Sequence, residues 1–366
     1  MLRGLKVLDL TRVLAGPYGT MLLADLGADV VKVEDPDGGD PTRTIGGGPE
    51  SPYYVSVNRN KRSIAIDLKS GEGRTLLAKL AGKADVLWHN FRPDAATRLG
   101  CDLPMFRVAN PRLITVAITS FGATGPYRDL PAFDLVIQAM SGSMSATGEP
   151  GRAPCKNGVP TGDLAGGLYG AIATLAALHE IKTSGTGRDI DLSLLDCSLS
   201  MLTYMAQFTL AGNPPPGPIG SSHAYNVPYG AWKCSDGKFV AVAIFTEKFW
   251  KPLCDALSLK TASDHRFIDM PSRRLNRAAL DAILAKEFAK HPRDWWVNHL
   301  WEKGLPAGPV YDVAEALHDE QVRARHMVVP LGDGRETLGS PFGEMKVKPP
   351  PALDGDREAI LRDWLN

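Results

Sequence analysis

Over about the first 120 residues, apolar positions gather into short β-rich runs set between longer stretches of helical period. Lys6–Leu10, Asp29–Glu34, Ser63–Asp67, Asp85–His89 and Leu113–Ile118 read as strands; Tyr18–Leu26, stopped by Gly27, and Gly71–Ala81 read as helices between them. This alternation predicts an α/β fold with a parallel sheet wrapped by helices. Ligands in such folds collect at the carboxyl ends of the strands. Leu164–Ile181 is apolar on nearly every side, with small residues at close spacing, and predicts a helix buried on most faces. After a turn at Thr183–Gly187, Asp189–Leu194 alternates as a half-buried strand does, and Asp196–Leu210 reads as a helix.

The run Gly212–Gly220, with four prolines, breaks regular structure and predicts a crossover between two domains. The expected division is a large domain over 1–211, a linker over 212–228, a smaller α+β domain over 229–320 and a C-terminal segment over 321–366. The small domain opens on a hairpin, since the Asp236-Gly237 turn lies between Tyr229–Trp232 and Lys238–Ala243. Helices are expected at Glu247–Ala256, Arg274–Ala289, Pro292–Lys303, Val313–His318 and Arg357–Leu365.

A chain of 366 residues, 44% apolar, suffices for two cores. Its 41 basic and 41 acidic side chains are interspersed, so neither a nucleic-acid nor a membrane partner is expected. Five dispersed cysteines, never in a C-x-x-C pair, argue against a disulfide framework and against a metal site. No secretory leader is expected at Met1–Lys6, no apolar stretch reaches membrane-spanning length without interruption, and a soluble cytoplasmic protein is the expectation.

Several chemistries lack their motifs. There is no G-x-x-x-x-G-K-[ST] loop, no G-x-G-x-x-G after the first strand, no H-E-x-x-H and no G-x-S-x-G. Asp163 stands out, because glycines flank it at 158, 162, 166 and 167, at the mouth of the long apolar helix. Two readings are open. It is an N-cap, or it is a nucleophilic carboxylate with room for a substrate to approach; in either, the helix dipole favours its ionised form. Basic clusters at Asn58–Arg62 and at His89–Pro93, with Arg98 beyond, sit near expected strand ends; together they suit the phosphates of a polyanionic ligand, with Phe91 covering an adenine ring.

Val7–Leu10 through Ala15-Gly16-Pro17, Leu23–Glu34, Asn58–Ser63, Asn90–Pro93, Ser120–Gly122 and Gly162-Asp163 together resemble family III CoA-transferases, the group of formyl-CoA and carnitine CoA-transferases. The likeness runs in order over about the first 200 residues and continues more thinly through Val227–Tyr229 and Asp236-Gly237. It implies a Rossmann-like large domain that binds CoA, a small domain, a tail returning to the large one, and an interlocked homodimer. It also implies an enzyme without a tightly bound cofactor, acting on acyl-CoA and carboxylic acid substrates, with Asp163 as the catalytic carboxylate. CoA contacts carry over to Leu14, Ala15, Lys69, Asn90, Phe91, Arg92 and Arg98. Two departures stand out: Asp35-Pro36-Asp37 follows Glu34 where the family often has a basic residue, and the glycine-rich catalytic loop has only Gly217–His223 as counterpart.

The resemblance implies movement of CoA from an acyl-CoA donor to a free acid through mixed anhydrides and an aspartyl-CoA thioester. Arg12, His223 and Tyr229 are candidates for the acyl pocket; a cationic or imidazole group there suits the second carboxylate of succinate, mesaconate or itaconate. The alternatives are an α-methylacyl-CoA racemase of the same superfamily and a non-catalytic acyl-CoA-binding protein. Phe133-Asp134 stands where racemases carry His-Asp, and phenylalanine exchanges no proton.

Overall fold

Strands buried on both faces of a parallel sheet are near-continuous apolar runs, and the central strands follow that rule. Val7 and Leu8 of β1 (Lys6–Asp9) and Val86, Leu87 and Trp88 of β4 (Val86–His89) are fully buried. The computed structural model describes residues 1–46, 51–101, 103–332 and 334–366. Its main sheet adds β2 (Asp29–Glu34), β3 (Arg62–Ala65), β5 (Ile114–Thr119) and β6 (Asp189–Ser193) in the order β3-β2-β1-β4-β5-β6, every pairing parallel. The chain winds outward from β1 on one side and from β4 on the other. The carboxyl ends of β1 and β4 therefore flank the crevice where such sheets bind ligands.

The helices of this part are α1 (Ala15–Asp25), α2 (Pro52–Asn58), α3 (Gly71–Ala81), α4 (Pro93–Arg98), α5 (Leu103–Ala109), α6 (Asp134–Met140), α7 (Thr161–Ser184), α8 (Leu194–Met201) and α9 (Tyr204–Leu210). By length and composition α7 could cross a membrane; here it packs on α1, α6 and α8. Its contact with α1 depends on glycine. A Cβ on Gly167 would lie 2.6 Å from the Ala15 carbonyl oxygen, and one on Gly19 would lie 2.7 Å from the Gly167 carbonyl oxygen. Backbone cannot yield as a flexible side chain can, so Gly167→Ala is expected to cost about 1–3 kcal/mol in denaturant unfolding, despite alanine's better helix propensity.

The chain forms two compact units: Met1–Met144, Lys156–Pro216 and Glu320–Asn366 make the first, Ser145–Cys155 and Gly217–Asp319 the second. The second holds an antiparallel sheet of β7 (Tyr229–Lys233), β8 (Phe239–Ala243) and β9 (Ala307–Pro309) under α10 (Trp250–Ala256), α11 (Met270–Leu275), α12 (Arg277–Phe288), α13 (Arg293–Glu302) and α14 (Val313–His318). Its core includes Trp232, Phe267, Phe288 and Trp296. In the first unit α15 (Glu320–Ala324) precedes a small hairpin of β10 (Val328–Pro330) and β11 (Glu336–Leu338), and α16 (Arg357–Leu365) packs on β3 and α3. The tail also covers an otherwise open sheet edge, because Asp356 and Asp354 accept from the backbone N–H groups of Ser63 and Ala65 in β3.

Three expectations need correction. Asp196–Leu210 is two helices, broken where Thr203 takes a φ of +46°, and no Gly or Pro marks that break. Arg274–Ala289 is divided at Asn276, whose side chain bonds back to the Ser272 carbonyl. Glu247–Phe249 is a 3₁₀ turn leading into α10.

Candidate active site

Helix α7 starts at Thr161, so Asp163 is its third residue and not its cap. The Asp134 carboxylate, at the start of α6, takes over that capping duty. Its Oδ1 accepts from the N–H of Gly162 at 2.9 Å and of Asp163 at 3.3 Å, while its Oδ2 accepts from Gln138 Nε2. Asp163 has no hydrogen-bond donor on its carboxylate among the described residues. Burial, and then the neighbouring Asp134 charge, push its pKa up to about 7. This reverses the expectation from the helix dipole, for the N–H groups that would stabilise the anion are given to Asp134.

Asp163 lines a cavity of about 300 Å³ together with Arg12, Val13, Leu14, Ala15, Asn90, Phe91, Arg92 and residues 118–120, 131–133 and 194. The walls are the loops after β1, β4 and β5 and the first turn of α7. Asn90 locks the first two loops together: its Oδ1 accepts from Arg12 N–H at 2.9 Å and its Nδ2 donates to the Arg12 carbonyl at 2.7 Å. The Arg12 guanidinium lies 5.1 Å from the centre of the Phe91 ring.

Arg12 and Phe91 also line a second cavity, of about 500 Å³. Leu10, Ile66, Leu68 and Leu99 give it apolar walls; Lys69, Arg74 and Arg98 give it cations, and Glu34, Asp35 and Asp67 line it as well. Arg98 is largely exposed and only 4.0 Å from Asp94, which leaves it available to an anion. The two cavities meet at the Arg12–Phe91 pair, so an elongated ligand with an anionic end at Lys69, Arg74 and Arg98 would bring its other end to Asp163.

The sequence matches the profile of CoA-transferase family III over residues 2–357. The chain belongs to that family. The acetyl-CoA:oxalate CoA-transferase of Acetobacter aceti is 39% identical over 99% of this chain and 95% of its own length. The succinate–glutarate CoA-transferase of Agrobacterium fabrum is 38% identical over 90% and 85%. A CaiB/BaiF family protein from Brucella suis superimposes with a TM-score of 0.90 at 38% identity, covering 99% of each chain. Members of CoA-transferase family III use CoA thioesters as substrates, and the chain is an enzyme of that class.

Of the residues singled out in the sequence, the structure brings Asp163, Arg12, Leu14, Ala15, Asn90, Phe91 and Arg92 to one cavity, and Lys69 and Arg98 to the adjoining one. His223 and Tyr229 lie in the second unit. There His223 packs on Tyr229 and Phe245, and its Nδ1 accepts from the N–H groups of Tyr225 and Asn226. The basic run Asn58–Arg62 is not a ligand cluster. Arg59 is buried against Asp25 at 2.6 Å, Lys61 against Asp9 at 2.9 Å, and Arg62 pairs with Asp29.

The sequence reading missed Arg74 and Tyr53 outright, and it named Asp134 only as the residue after Phe133, not as a neighbour of Asp163. Arg74 joins Lys69 and Arg98 from one turn inside α3; Asp134 sits beside Asp163; and Tyr53, half-buried on α2, has its pKa raised by burial and then by the nearby Asp163 charge. Only Arg74 left a signal, an arginine on a helix following a strand whose end already carried Lys69.

Proposed function

We propose that this enzyme moves CoA from an acyl-CoA donor to a dicarboxylic acid by way of a thioester on Asp163. The observation that carries the reading is the two-chambered site, with Lys69, Arg74 and Arg98 among the residues lining one chamber and a half-buried carboxylate in the other. CoA phosphates would lie at Lys69, Arg74 and Arg98, the adenine on Phe91, and the pantetheine along Asn90, Leu14 and Ala15, with Arg92 at the rim.

The Asp163 carboxylate attacks the thioester carbonyl, and the oxyanion collapses with CoA thiolate leaving, which gives a mixed anhydride. Thiolate attacks the Asp163 acyl carbon, expels the donor carboxylate and forms the aspartyl-CoA thioester. The acceptor carboxylate then attacks that thioester, and the released thiolate attacks the acceptor's acyl carbon, returning Asp163 as a carboxylate. Each step exchanges one carboxylate or thiolate for another, so no proton is transferred. The cavity fits that demand, for no histidine is among the described residues lining it. Phe133 in the same wall speaks against proton exchange of the racemase kind.

The two curated relatives named above are CoA-transferases for oxalate, succinate or glutarate, all of them diacids. Arg12 and Arg92, which line the same cavity as Asp163, would take the acceptor's second carboxylate. With succinyl-CoA as donor, a diacid acceptor is expected to exceed its monoacid analogue in kcat/KM by about tenfold or more, and Arg12→Gln to narrow that gap. Equal rates for both acids would refute the paired-carboxylate pocket.

The functional unit we propose is a homodimer. Leu168, Ile172 and Leu175 form an exposed apolar stripe at i, i+4 and i+7 on α7, and Tyr204, Phe208 and Leu210 are exposed on α9, surfaces that a second copy would cover. Five free thiols, four of them buried, suit a reducing cytoplasm.

A further inference from the structure

The loop between β1 and α1 forms a wall of the Asp163 cavity, and its backbone is held almost wholly by side chains from elsewhere. Thr11 N–H donates to Asp9 Oδ1, and the Thr11 carbonyl accepts from Lys32 Nζ at 2.8 Å. Arg12 gives its N–H and its carbonyl to Asn90. Val13 N–H donates to the Asp40 carboxylate, 3.3 and 3.4 Å from its two oxygens. Asp40 is fixed in turn by Lys32 Nζ at 2.9 Å and by the N–H and hydroxyl of Thr42, and both members of the Lys32–Asp40 pair are almost fully buried.

This clamp holds an unfavourable conformation. Val13 has a φ of +70°, a region that a β-branched residue avoids. Such a turn persists only where its surroundings over-determine it, and such turns gather at functional sites. Here the turn sets where the backbone of Leu14 and Ala15 lies against Asp163.

We infer that Lys32 and Asp40 are positioning residues of the transfer reaction: through Thr11 and Val13 they hold the left-handed turn that shapes the wall facing Asp163. Neither lines the cavity among the described residues, so they act through the loop. The inference rests on Asp163 being the group that is acylated.

The test is a second-site rescue. Asp40→Asn keeps a neutral acceptor but loses the ion pair, and is expected to lower kcat by about tenfold or more with a smaller change in KM for the thioester. Val13→Gly removes the conformational cost, so Val13→Gly/Asp40→Asn should recover to within about threefold of Val13→Gly alone. A merely structural Asp40 predicts no recovery, since glycine further loosens the chain. Val13→Pro tests the same turn with the buried pair left in place, because proline cannot adopt that φ and has no N–H for Asp40. It should lose kcat to a similar degree in a protein whose melting is near wild type. Wild-type kcat in folded Asp40→Asn or Val13→Pro, or a double variant no better than Asp40→Asn, would overturn the inference. Activity surviving in Asp163→Asn would instead overturn the acylation on which it rests.

Discussion

Asp163→Asn is expected to abolish CoA exchange between succinyl-CoA and an acceptor acid, by about 10⁴-fold or more, while acyl-CoA binding persists. An amide is nearly isosteric with the carboxylate but does not attack a thioester, and losing a covalent nucleophile removes the whole reaction coordinate rather than one contact. Binding should persist because Lys69, Arg74 and Arg98 line the other chamber and the Phe91 ring lies where the two chambers meet. Wild-type enzyme quenched with acyl-CoA alone should carry a CoA adduct on the peptide containing Asp163, visible by mass spectrometry and absent from the variant. An adduct on another residue, or rapid exchange by Asp163→Asn, would refute the covalent route. A racemase or a passive acyl-CoA binder predicts no such adduct at all.

How much of this was legible beforehand depended on whether the signal was local. The five early strands of the sheet are short β-rich runs with turn residues at their ends, so their presence along the chain could be read directly. Asp163 could be found because its glycines are adjacent in sequence. The pairing of Asp134 with Asp163 could not, for Asp134 lies 29 residues upstream and meets it only once α6 and α7 pack. The same limit explains the error over Asn58–Arg62. A basic run beside a strand end looks like an anion site until the folded chain places Asp25, Asp9 and Asp29 against it. Buried charge has no local mark. Lys32 reads as an ordinary polar residue of a strand, yet its ammonium joins Asp40 to the Thr11 carbonyl in the interior. Short helices such as α2, α4 and α6, of six or seven residues, are too brief for a helical period to show.

The electrostatic pairing of Asp163 with Asp134 carries a second large effect, on pH. With its pKa raised to about 7, by burial first and Asp134 second, Asp163 is half protonated in free enzyme near neutrality, and only the anion attacks. The kcat/KM should therefore climb about tenfold per pH unit below 7 and level off above it, so that kcat/KM at pH 5 is on the order of a hundredfold below the plateau. Asp134→Asn removes the neighbouring charge but keeps an oxygen for the N–H groups of Gly162 and Asp163. It should move the midpoint down, though not to the ordinary 3.8, because burial remains. Stability must run the opposite way. A carboxyl whose folded pKa is raised contributes its full stability below the unfolded value, near pH 4, and loses it as pH rises through 7. Asp163→Asn is free of that loss. It should match wild type in unfolding free energy near pH 4 and exceed it at pH 8 by on the order of 2 kcal/mol, a value discounted for the partial exposure of the group. A profile flat from pH 5 to 8, or equal stability of the two proteins at pH 8, would show that Asp163 ionises at the ordinary pH of an aspartate and that the Asp134 pair does not govern its charge.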